Sequence, residues 1–301
     1  MDNVGVVMRT KDRPLLLGRA IQSVLNQTID NIELVVVNDG GDKESTEKLV
    51  NEYKKNNKID IRLIHNPVSL GMEAASNVGL SSLNTKYVTL LDDDDTWDPR
   101  ILEKQIAELE TYNKKMNRIM GVCTLTNIVY ESIFEQQILL DKVVHLEEEA
   151  NLERQDKIIN LYTLISKNLF TNNSFLYYYE VLNHIGFYRE DLPVLGDWEF
   201  NIRFAMQYDI LVINDHLANY HKRHQVNNVN DNSAPNEHQL YYNVLRNQWL
   251  REDLKENSSL GLYANTSPVF GDLMKNQIIS LNLQHQMARL LNFIGNNLIN
   301  K

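Results

Sequence analysis

Short apolar runs alternate with amphipathic segments along the first hundred residues of the chain. Four apolar runs predict strands that end at polar or turn-forming residues: Val4 to Met8, Ile32 to Val37, Ile61 to Ile64 and Tyr87 to Leu91. The segments between them predict helices at Pro14 to Asn26, Lys43 to Tyr53 and Met72 to Leu83. This alternation is typical of an α/β fold in which helices cover a mostly parallel sheet.

The pattern after Pro99 is more mixed and ends in helices. It predicts further strands at Met120 to Tyr130, Gln137 to His145, Phe175 to Tyr179 and Ile210 to Ile213. Helices are predicted from Pro99 to about Asn113 and at Lys157 to Lys167, Glu180 to Ile185, Asp197 to Tyr208, Glu237 to Leu254 and Gly271 to Leu298. The Asn-rich segment Gln225 to Glu237 predicts a loop. We therefore expect an α/β domain over residues 1–225, with halves 1–99 and 100–225, and a loop and helical extension over residues 226–301.

Composition and charge exclude several classes of protein. The 301 residues, 43% hydrophobic and 23% charged, are in the globular range and suffice for a sizeable core. The net charge of −10 argues against general affinity for nucleic acid or anionic lipid. The single cysteine, Cys123, excludes an intramolecular disulfide and a cysteine-based zinc site. Because the sequence has neither a secretory signal pattern nor a run of about 18 apolar residues, a cytoplasmic location is expected.

Polar side chains follow the predicted strands at the edge where a sheet of this kind binds ligands. The fourth strand is followed by four successive aspartates, Asp92 to Asp95, whose carboxylates repel one another. Asp92 and Asp94 fall on one side of an extended segment and can share one hard divalent cation that also binds substrate phosphate. A solvated acidic turn or a helix N-cap is the alternative. Asp98, directly before Pro99, suits the cap better.

Several motifs together resemble the inverting glycosyltransferases of family 2. They are Val6 to Pro14, Ala20 to Thr28, Glu33 to Asp42, the positions of Asn66, Gly71 and Asn77, and Leu91 to Pro99. The resemblance covers about residues 4 to 225 and is strongest in the first hundred. It implies the GT-A fold, a Rossmann-like fold with a mostly parallel central sheet, in which residues 1–99 bind a nucleotide-diphosphate sugar and residues 100–225 form the acceptor side.

The resemblance also implies roles for individual residues on the donor side. Thr10 and Arg13 would border the nucleotide, Asp39 would hydrogen-bond the base, Asp92 would contact ribose or sugar, and Asn77 and Asp93 are further nucleotide-sugar-binding positions. Asp94 would ligate a divalent metal, Mn²⁺ or Mg²⁺, that bridges the diphosphate. Two alternatives stay open: Asp39 as a residue of the strand-to-helix turn, and Arg13 as a solvated cation at a helix start.

A second group of motifs lies on the acceptor side. Gly196-Asp197-Trp198-Glu199-Phe200 resembles a family landmark in which the second of two acids is the catalytic base. Gly196 stands at the first acid, so only Asp197 carries over, with a helix N-cap as its alternative role. His221 and His224 are candidate metal ligands, of which we favour His224, although a lone histidine is more often a surface residue. Lys222 and Arg223 are either phosphate contacts or solvated charges.

Three departures from the family pattern bear on donor identity. Ser76 stands where an arginine is common, and Asn38 and Gly41 replace commoner Asp and Ser residues beside Asp39. The predicted activity is metal-dependent, inverting transfer of a sugar, with UDP preferred as the carrier, to a hydroxyl of a glycan or lipid-linked saccharide, as in cell-surface polysaccharide synthesis. The alternatives are a nucleotidyltransferase, although no Gly lies between Met8 and Leu17, and a non-catalytic glycan-binding protein. The last helix is compatible with packing on the α/β domain, a homo-oligomer seam or peripheral membrane contact.

Overall fold

A computed structural model of the chain describes residues 3–55, 59–135, 137–146, 157–223, 235–256, 261 and 266. The strands of this part are β1 (Val4–Thr10), β2 (Ile32–Asp39), β3 (Asp60–Asn66), β4 (Tyr87–Leu90), β5 (Thr96–Trp97), β6 (Ile119–Phe134), β7 (Gln137–His145), β8 (Phe175–Tyr178) and β9 (Asp209–Lys222). The α-helices are α1 (Pro14–Leu25), α2 (Lys43–Lys54), α3 (Met72–Ser81), α4 (Ile101–Asn113), α5 (Leu161–Ser166), α6 (Leu182–Ile185), α7 (Gly196–Gln207) and α8 (Pro235–Glu256).

The strands form one sheet in the order β3-β2-β1-β4-β8-β6-β9-β5, with β7 paired to β6. The first four strands of this order are parallel to one another, whereas β8 runs antiparallel to both β4 and β6. The predicted α/β architecture is therefore confirmed. Because β1, β2 and β4 are parallel neighbours, their carboxyl ends meet at one edge of the sheet.

The apolar runs of β1 and β2 are buried along almost their whole length. Val6, Val35 and Val36 have no exposed surface, as expected for strands that are covered by helices on both faces. On the helix side, the Cβ of any side chain at Gly79 of α3 would lie within 3.1 Å of Val7 Cγ2, so glycine allows this helix to pack closely on β1. Burial of these branched side chains provides the hydrophobic free energy that holds the site-forming edge in place.

The helix predicted at Lys157 to Lys167 begins later, at Leu161, and two further predictions about element boundaries are wrong. The last strand was expected to end at Ile213, yet β9 continues to Lys222 because its pairing with β6 resumes beyond a register shift between Thr124 and Leu125. Asp98 was expected to cap a helix that begins at Pro99. Instead, α4 begins at Ile101, and the Asp98 carboxylate accepts hydrogen bonds from the Arg100 backbone N–H, at 2.9 Å, and guanidinium.

Contacts divide the chain into two compact units, Met1–Tyr242 and Asn243–Lys301. The helix predicted at Glu237 to Leu254 is present as α8. Most of the Asn-rich segment and the predicted helix Gly271 to Leu298 lie outside the described residues, so the oligomer and membrane hypotheses for that helix stay predictions. In the part of the chain that is described, none of the helices combines the length and the apolar character that crossing a membrane requires.

Candidate active site

A cavity of about 700 Å³ opens where the carboxyl ends of the parallel strands face the start of α7. Six of the residues singled out from the sequence line it: Thr10, Arg13, Asp39, Asp92, Asp94 and Asp197. Asn77 and Asp93 are not among the lining residues. The Asn77 amide is bonded to the backbone of Tyr188 on both its nitrogen and its oxygen, at 2.8 and 3.0 Å. The direct substrate contacts predicted for Asn77 and Asp93 stay predictions.

The first aspartate of the acidic turn, Asp92 to Asp95, forms a two-point ion pair with Arg9. The distances are 2.7 Å from Arg9 Nε to Asp92 Oδ1 and 3.2 Å from Arg9 Nη2 to Asp92 Oδ2. Arg9 Nη1 also donates to Ser76 Oγ at 3.0 Å, so the Arg9 guanidinium reaches the position at which the resemblance leads us to expect an arginine on α3. Arg9 is a site residue to which the sequence reasoning assigned no role. Its signal was a cation at the end of an otherwise apolar strand.

Thr10 and Arg13 hold the next two aspartates. Thr10 Oγ1 donates to Asp93 Oδ2 at 2.6 Å, and Arg13 Nη2 lies 2.5 Å from Asp93 Oδ1. Burial raises the pKa of Asp93 to about 7, although the charge of Arg13 opposes this shift. Arg13 Nη1 also reaches Asp94 Oδ2, at 3.2 Å. Asp93 thus lies enclosed behind the cavity wall, while Arg13 and Asp94 face the cavity.

A network of buried ion pairs holds the acidic turn in place. Arg223 has no exposed surface, and its guanidinium joins Asp94 to Glu131, with 2.6 Å from Nη1 to Glu131 Oε1. Glu131 Oε2 also lies 2.5 Å from Arg19 Nη1 and 2.8 Å from His221 Nδ1. Burial acts to raise the pKa of Glu131, but the hydrogen bonds from His221 and Arg19 outweigh it and lower the pKa to about 2. The sequence reasoning missed Glu131, whose only signal was a carboxylate within an apolar strand.

The two candidate histidines are placed differently by the structure. His224 lies outside the described residues. Both ring nitrogens of His221 have partners within the chain, Glu131 for Nδ1 and Thr96 Oγ1, at 2.9 Å, for Nε2. Burial lowers the pKa of His221, although Glu131 opposes the shift. His221 therefore acts in the ion network, and the enclosed Arg223 does the same rather than facing a phosphate.

Asp39 ties a loop to the rim of the cavity. Its carboxylate accepts four hydrogen bonds, from Asn66 Nδ2, Ser69 Oγ and the backbone N–H groups of Leu70 and Gly71, at 2.8 to 3.1 Å. Burial acts to raise the pKa of Asp39, but these four bonds lower it. A carboxylate has about four acceptor positions, so Asn66 of β3 and the three loop donors together use the capacity that a nucleotide base would need. The predicted contact of Asp39 with the base stays a prediction.

Asp197 lies in the first turn of α7, facing the cavity. Its Oδ2 accepts a hydrogen bond of 2.9 Å from Asn168 Nδ2, and its Oδ1 accepts one of 2.7 Å from the Trp198 backbone N–H. Burial raises the pKa of Asp197. The N-cap position belongs to Leu195, so a simple capping role for Asp197 is excluded. Leu195 has φ 64°, a left-handed conformation that costs about 1–2 kcal/mol for a residue with a side chain. The surrounding packing thus sustains a strained turn where α7 enters the site.

The family model described as "Glycosyl transferase family 2" matches residues 5–139. Residues 5–139 belong to glycosyl transferase family 2. An uncharacterized glycosyltransferase of Haemophilus influenzae is 30% identical to the chain over 130 residues, which are 42% of this chain and 38% of that protein. The matched segments of the first curated relatives cover at most 42% of their lengths, so this family 2 domain corresponds to only part of each of them.

Two solved structures show that the fold is GT-A. The mannosyltransferase PcManGT of Pyrobaculum calidifontis, in complex with GDP-Man and Mn²⁺, aligns with a TM-score of 0.56 at 14% identity, covering 93% of this chain and 81% of that one. TarS 1–349 of S. aureus, in complex with UDP-GlcNAc, aligns with a TM-score of 0.54 at 16% identity, covering 81% and 64%. At these identities the likeness concerns the fold, and the chemistry of the site must be argued from its own residues.

Proposed function

We propose that the protein is a metal-dependent, inverting glycosyltransferase that transfers a sugar from a nucleotide-diphosphate donor, preferentially UDP-linked, to a hydroxyl of a glycan or lipid-linked saccharide. Such a reaction builds cell-surface polysaccharides. The observation that carries the proposal is that one cavity is lined both by Asp92 and Asp94, after β4, and by Asp197, at the start of α7. The family match over residues 5–139 supports the same reaction class.

In this proposal Asp197 is the general base. The oxygen of an acceptor hydroxyl forms a bond to the anomeric carbon, and the bond from that carbon to the diphosphate oxygen breaks. The hydroxyl proton passes to the Asp197 carboxylate, and the nucleoside diphosphate leaves with the electron pair of the broken bond. A single displacement of this kind inverts the anomeric configuration. Asn168, bonded to Asp197 Oδ2, orients the carboxylate for this step.

The residues at the acidic turn fit a divalent metal with few protein ligands. Asp92 gives both carboxylate oxygens to Arg9, and Asp94, which also lines the cavity, meets Arg13 and Arg223 through Oδ2. No cluster of three or more acidic, histidine or cysteine side chains suited to a metal occurs among the described residues. Mg²⁺ and Mn²⁺ often take one or two carboxylates and complete their shell with phosphate and water. Asp94 would therefore hold the ion, which when bound supplies positive charge against the leaving diphosphate.

Thermal stability with nucleotides tests the donor site. The protein is heated with UDP, GDP, dTDP or CDP, each with and without Mn²⁺. A ligand at about 100 times its dissociation constant adds roughly 2.7 kcal/mol, which raises the melting temperature by several degrees in a protein of this size. We expect a rise that needs both UDP and the metal. A rise with UDP in the absence of any divalent ion would contradict the metal requirement.

Two substitutions separate donor binding from chemistry. Asp94→Asn is expected to weaken metal-dependent UDP binding strongly, because the amide loses the negative charge that faces the cation. Asp197→Asn is expected to leave UDP binding nearly unchanged and to lower turnover about 10²-fold or more, the usual effect of losing a general base. Asp191→Asn, at an exposed aspartate paired with Arg189, is the matched control. Equal loss of UDP binding in both site variants would contradict the assignment.

A further inference from the structure

The Glu73 side chain of α3 packs directly against the backbone of Gly196 in α7 at the wall of the cavity. A Cβ atom at position 196 would lie 2.7 Å from Glu73 Cγ and closer still to Glu73 Cδ and Oε1. Any side chain at position 196 would therefore have to displace the Glu73 carboxyl group. The absence of a side chain at the first position of α7 thus gives Glu73 its place directly beside Asp197.

The Glu73 carboxyl group is buried, yet one of its two oxygens has no hydrogen bond in the described part of the chain. Glu73 is 5% exposed and lines the cavity together with Asp197. Its Oε2 is a buried polar atom without a hydrogen-bond partner in the part of the chain that the structure describes. Buried carboxylate oxygens are almost always bonded in folded proteins, because leaving one unbonded is costly. An unbonded one at a cavity wall is explained by a group that arrives with a ligand.

Arg9 does not form a hydrogen bond with Glu73, although it forms two with Asp92. The distance from Arg9 Nη1 to Glu73 Oε2 is 3.6 Å, longer than a hydrogen bond, whereas Arg9 makes a two-point pair with Asp92. The charged groups that face Glu73 are Arg9, Asp92, Asp197 and Glu199. Burial raises the pKa of Glu73 to about 7, and the charge of Arg9 limits the shift. Near neutral pH the carboxyl group can thus either accept or donate a hydrogen bond.

We propose that Glu73 binds a hydroxyl of the acceptor and holds it against Asp197, so that α3 and α7 each contribute one acid to the acceptor subsite. This inference rests on the proposed glycosyltransferase function and extends it to a residue outside the motifs quoted above. Glu73 takes no proton in the overall reaction, because the proton of the attacking hydroxyl passes to Asp197. The ligand chemistry at Glu73 is that of a neutral polyhydroxylated acceptor, since two neighbouring acids bind hydroxyl groups by accepting or sharing their protons.

The experiment exploits the fit between positions 73 and 196. Four variants are compared with the wild type: Glu73→Ala, Gly196→Ala, the double variant Glu73→Ala/Gly196→Asp, and the matched double variant Glu73→Ala/Gly196→Ala. The third returns a carboxyl group from α7 into the vacated space, and the fourth fills part of that space without a carboxyl group. UDP release is measured with UDP-glucose, UDP-galactose and UDP-N-acetylglucosamine against methyl glycosides as acceptors, and the dissociation constant of UDP with Mn²⁺ is measured by calorimetry.

We expect both single variants to raise the acceptor KM about tenfold or more, because one lacks the carboxyl group and the other displaces it. The UDP dissociation constant should stay within twofold in both. The variant with Gly196→Asp should recover most of the acceptor KM, whereas the matched variant with Gly196→Ala should not. An unchanged acceptor KM in Glu73→Ala, or equal recovery by the two double variants, would overturn the proposal, since either result means that Glu73 only fills space.

Glu73→Gln keeps the experiment decisive if an alanine variant does not fold. This variant preserves volume and removes the titrating group, so the acceptor kcat/KM should lose its pH dependence near pH 7 and the acceptor KM should rise. A wild-type pH profile retained in Glu73→Gln would overturn the role of Glu73 and leave the proposed glycosyltransferase function untouched. Failure of the wild type to release UDP with any donor and acceptor of the panel would overturn the proposed function, and this inference with it.

Discussion

Replacing Glu131 by glutamine removes the negative centre of the buried ion network. Three cationic or polar groups converge on this carboxylate, from Arg19, Arg223 and His221. Glutamine keeps the shape but offers only one acceptor oxygen and no charge. Arg223, which has no exposed surface, would then keep Asp94 as its remaining acidic partner in this network. We expect a large loss of stability, because a buried guanidinium is left undercompensated.

Two independent routes give the size of this loss. The pKa of Glu131 falls from 4.5 to about 2 on folding, and at about 1.4 kcal/mol per pKa unit this favours folding by roughly 3 kcal/mol at pH 7. Breaking a buried ion pair by removing one partner costs about 3–5 kcal/mol, which agrees. For a protein of this size, 1 kcal/mol corresponds to about 2–4 °C. The melting temperature should therefore fall by roughly 6 to 12 °C.

The assay is thermal unfolding at pH 7 and again at pH 3. A carboxyl group with a lowered folded-state pKa contributes stability above its unfolded pKa and loses it as pH falls. The contribution of Glu131 is thus complete above about pH 4.5 and declines towards pH 2. The difference between the wild type and Glu131→Gln should shrink by more than half between pH 7 and pH 3. Glu180→Gln, at an exposed glutamate, is the control and should melt within about 1 °C of the wild type.

Two results would refute this reasoning. If Glu131→Gln melts within 2 °C of the wild type at pH 7, the network does not depend on the charge of this carboxylate. If the loss is large but equal at pH 7 and pH 3, the loss comes from packing, because protonation of Glu131 in the wild type would then have no effect. The comparison at two pH values therefore separates the electrostatic cause from a steric one.

Three further predictions concern the cavity wall, the rim and the metal. The pKa of Glu73 is raised from 4.5 to about 7, so the fold loses stability between these two pH values, where the unfolded chain is ionised at Glu73 and the folded chain is not. Glu73→Gln should therefore melt above the wild type at pH 8 and not at pH 4, and a lower melting temperature at pH 8 would contradict this. Asp39→Asn should cost about 2 kcal/mol and speed hydrogen exchange at the Leu70 and Gly71 amides, since a neutral amide oxygen binds these groups more weakly. Unchanged exchange at these two amides would contradict the conclusion that Asp39 holds the loop in place. Removing divalent ions with EDTA should abolish the rise in melting temperature caused by UDP and leave that of the protein alone within about 1 °C.

The parallel half of the sheet could be predicted from the chain because its signals are local. The apolar runs of β1, β2 and β4 and the helices between them follow from the spacing of apolar residues within each segment. The extent of β9 could not be predicted in this way. Its polar stretch after Ile213 interrupts the strand pattern, and only the renewed pairing with β6 extends the strand to Lys222. Helix α4 similarly begins later than Pro99 because Asp98 bonds to Arg100 in a preceding turn.

At the candidate site, too, some features follow from the local sequence and others only from tertiary packing. The sequence by itself determined that carboxylates gather at the ends of parallel strands, since both the acidic turn and the strand before it are contiguous in the chain. Only the tertiary structure decided how these charges are neutralised, because Asp94 meets Arg223 across 129 positions and Glu131 meets Arg19 across 112. It also decided that Glu73 occupies the space beside Gly196. Hydrophobic periodicity acts between near neighbours, whereas burial, ion pairing and steric fit depend on which distant segments pack together.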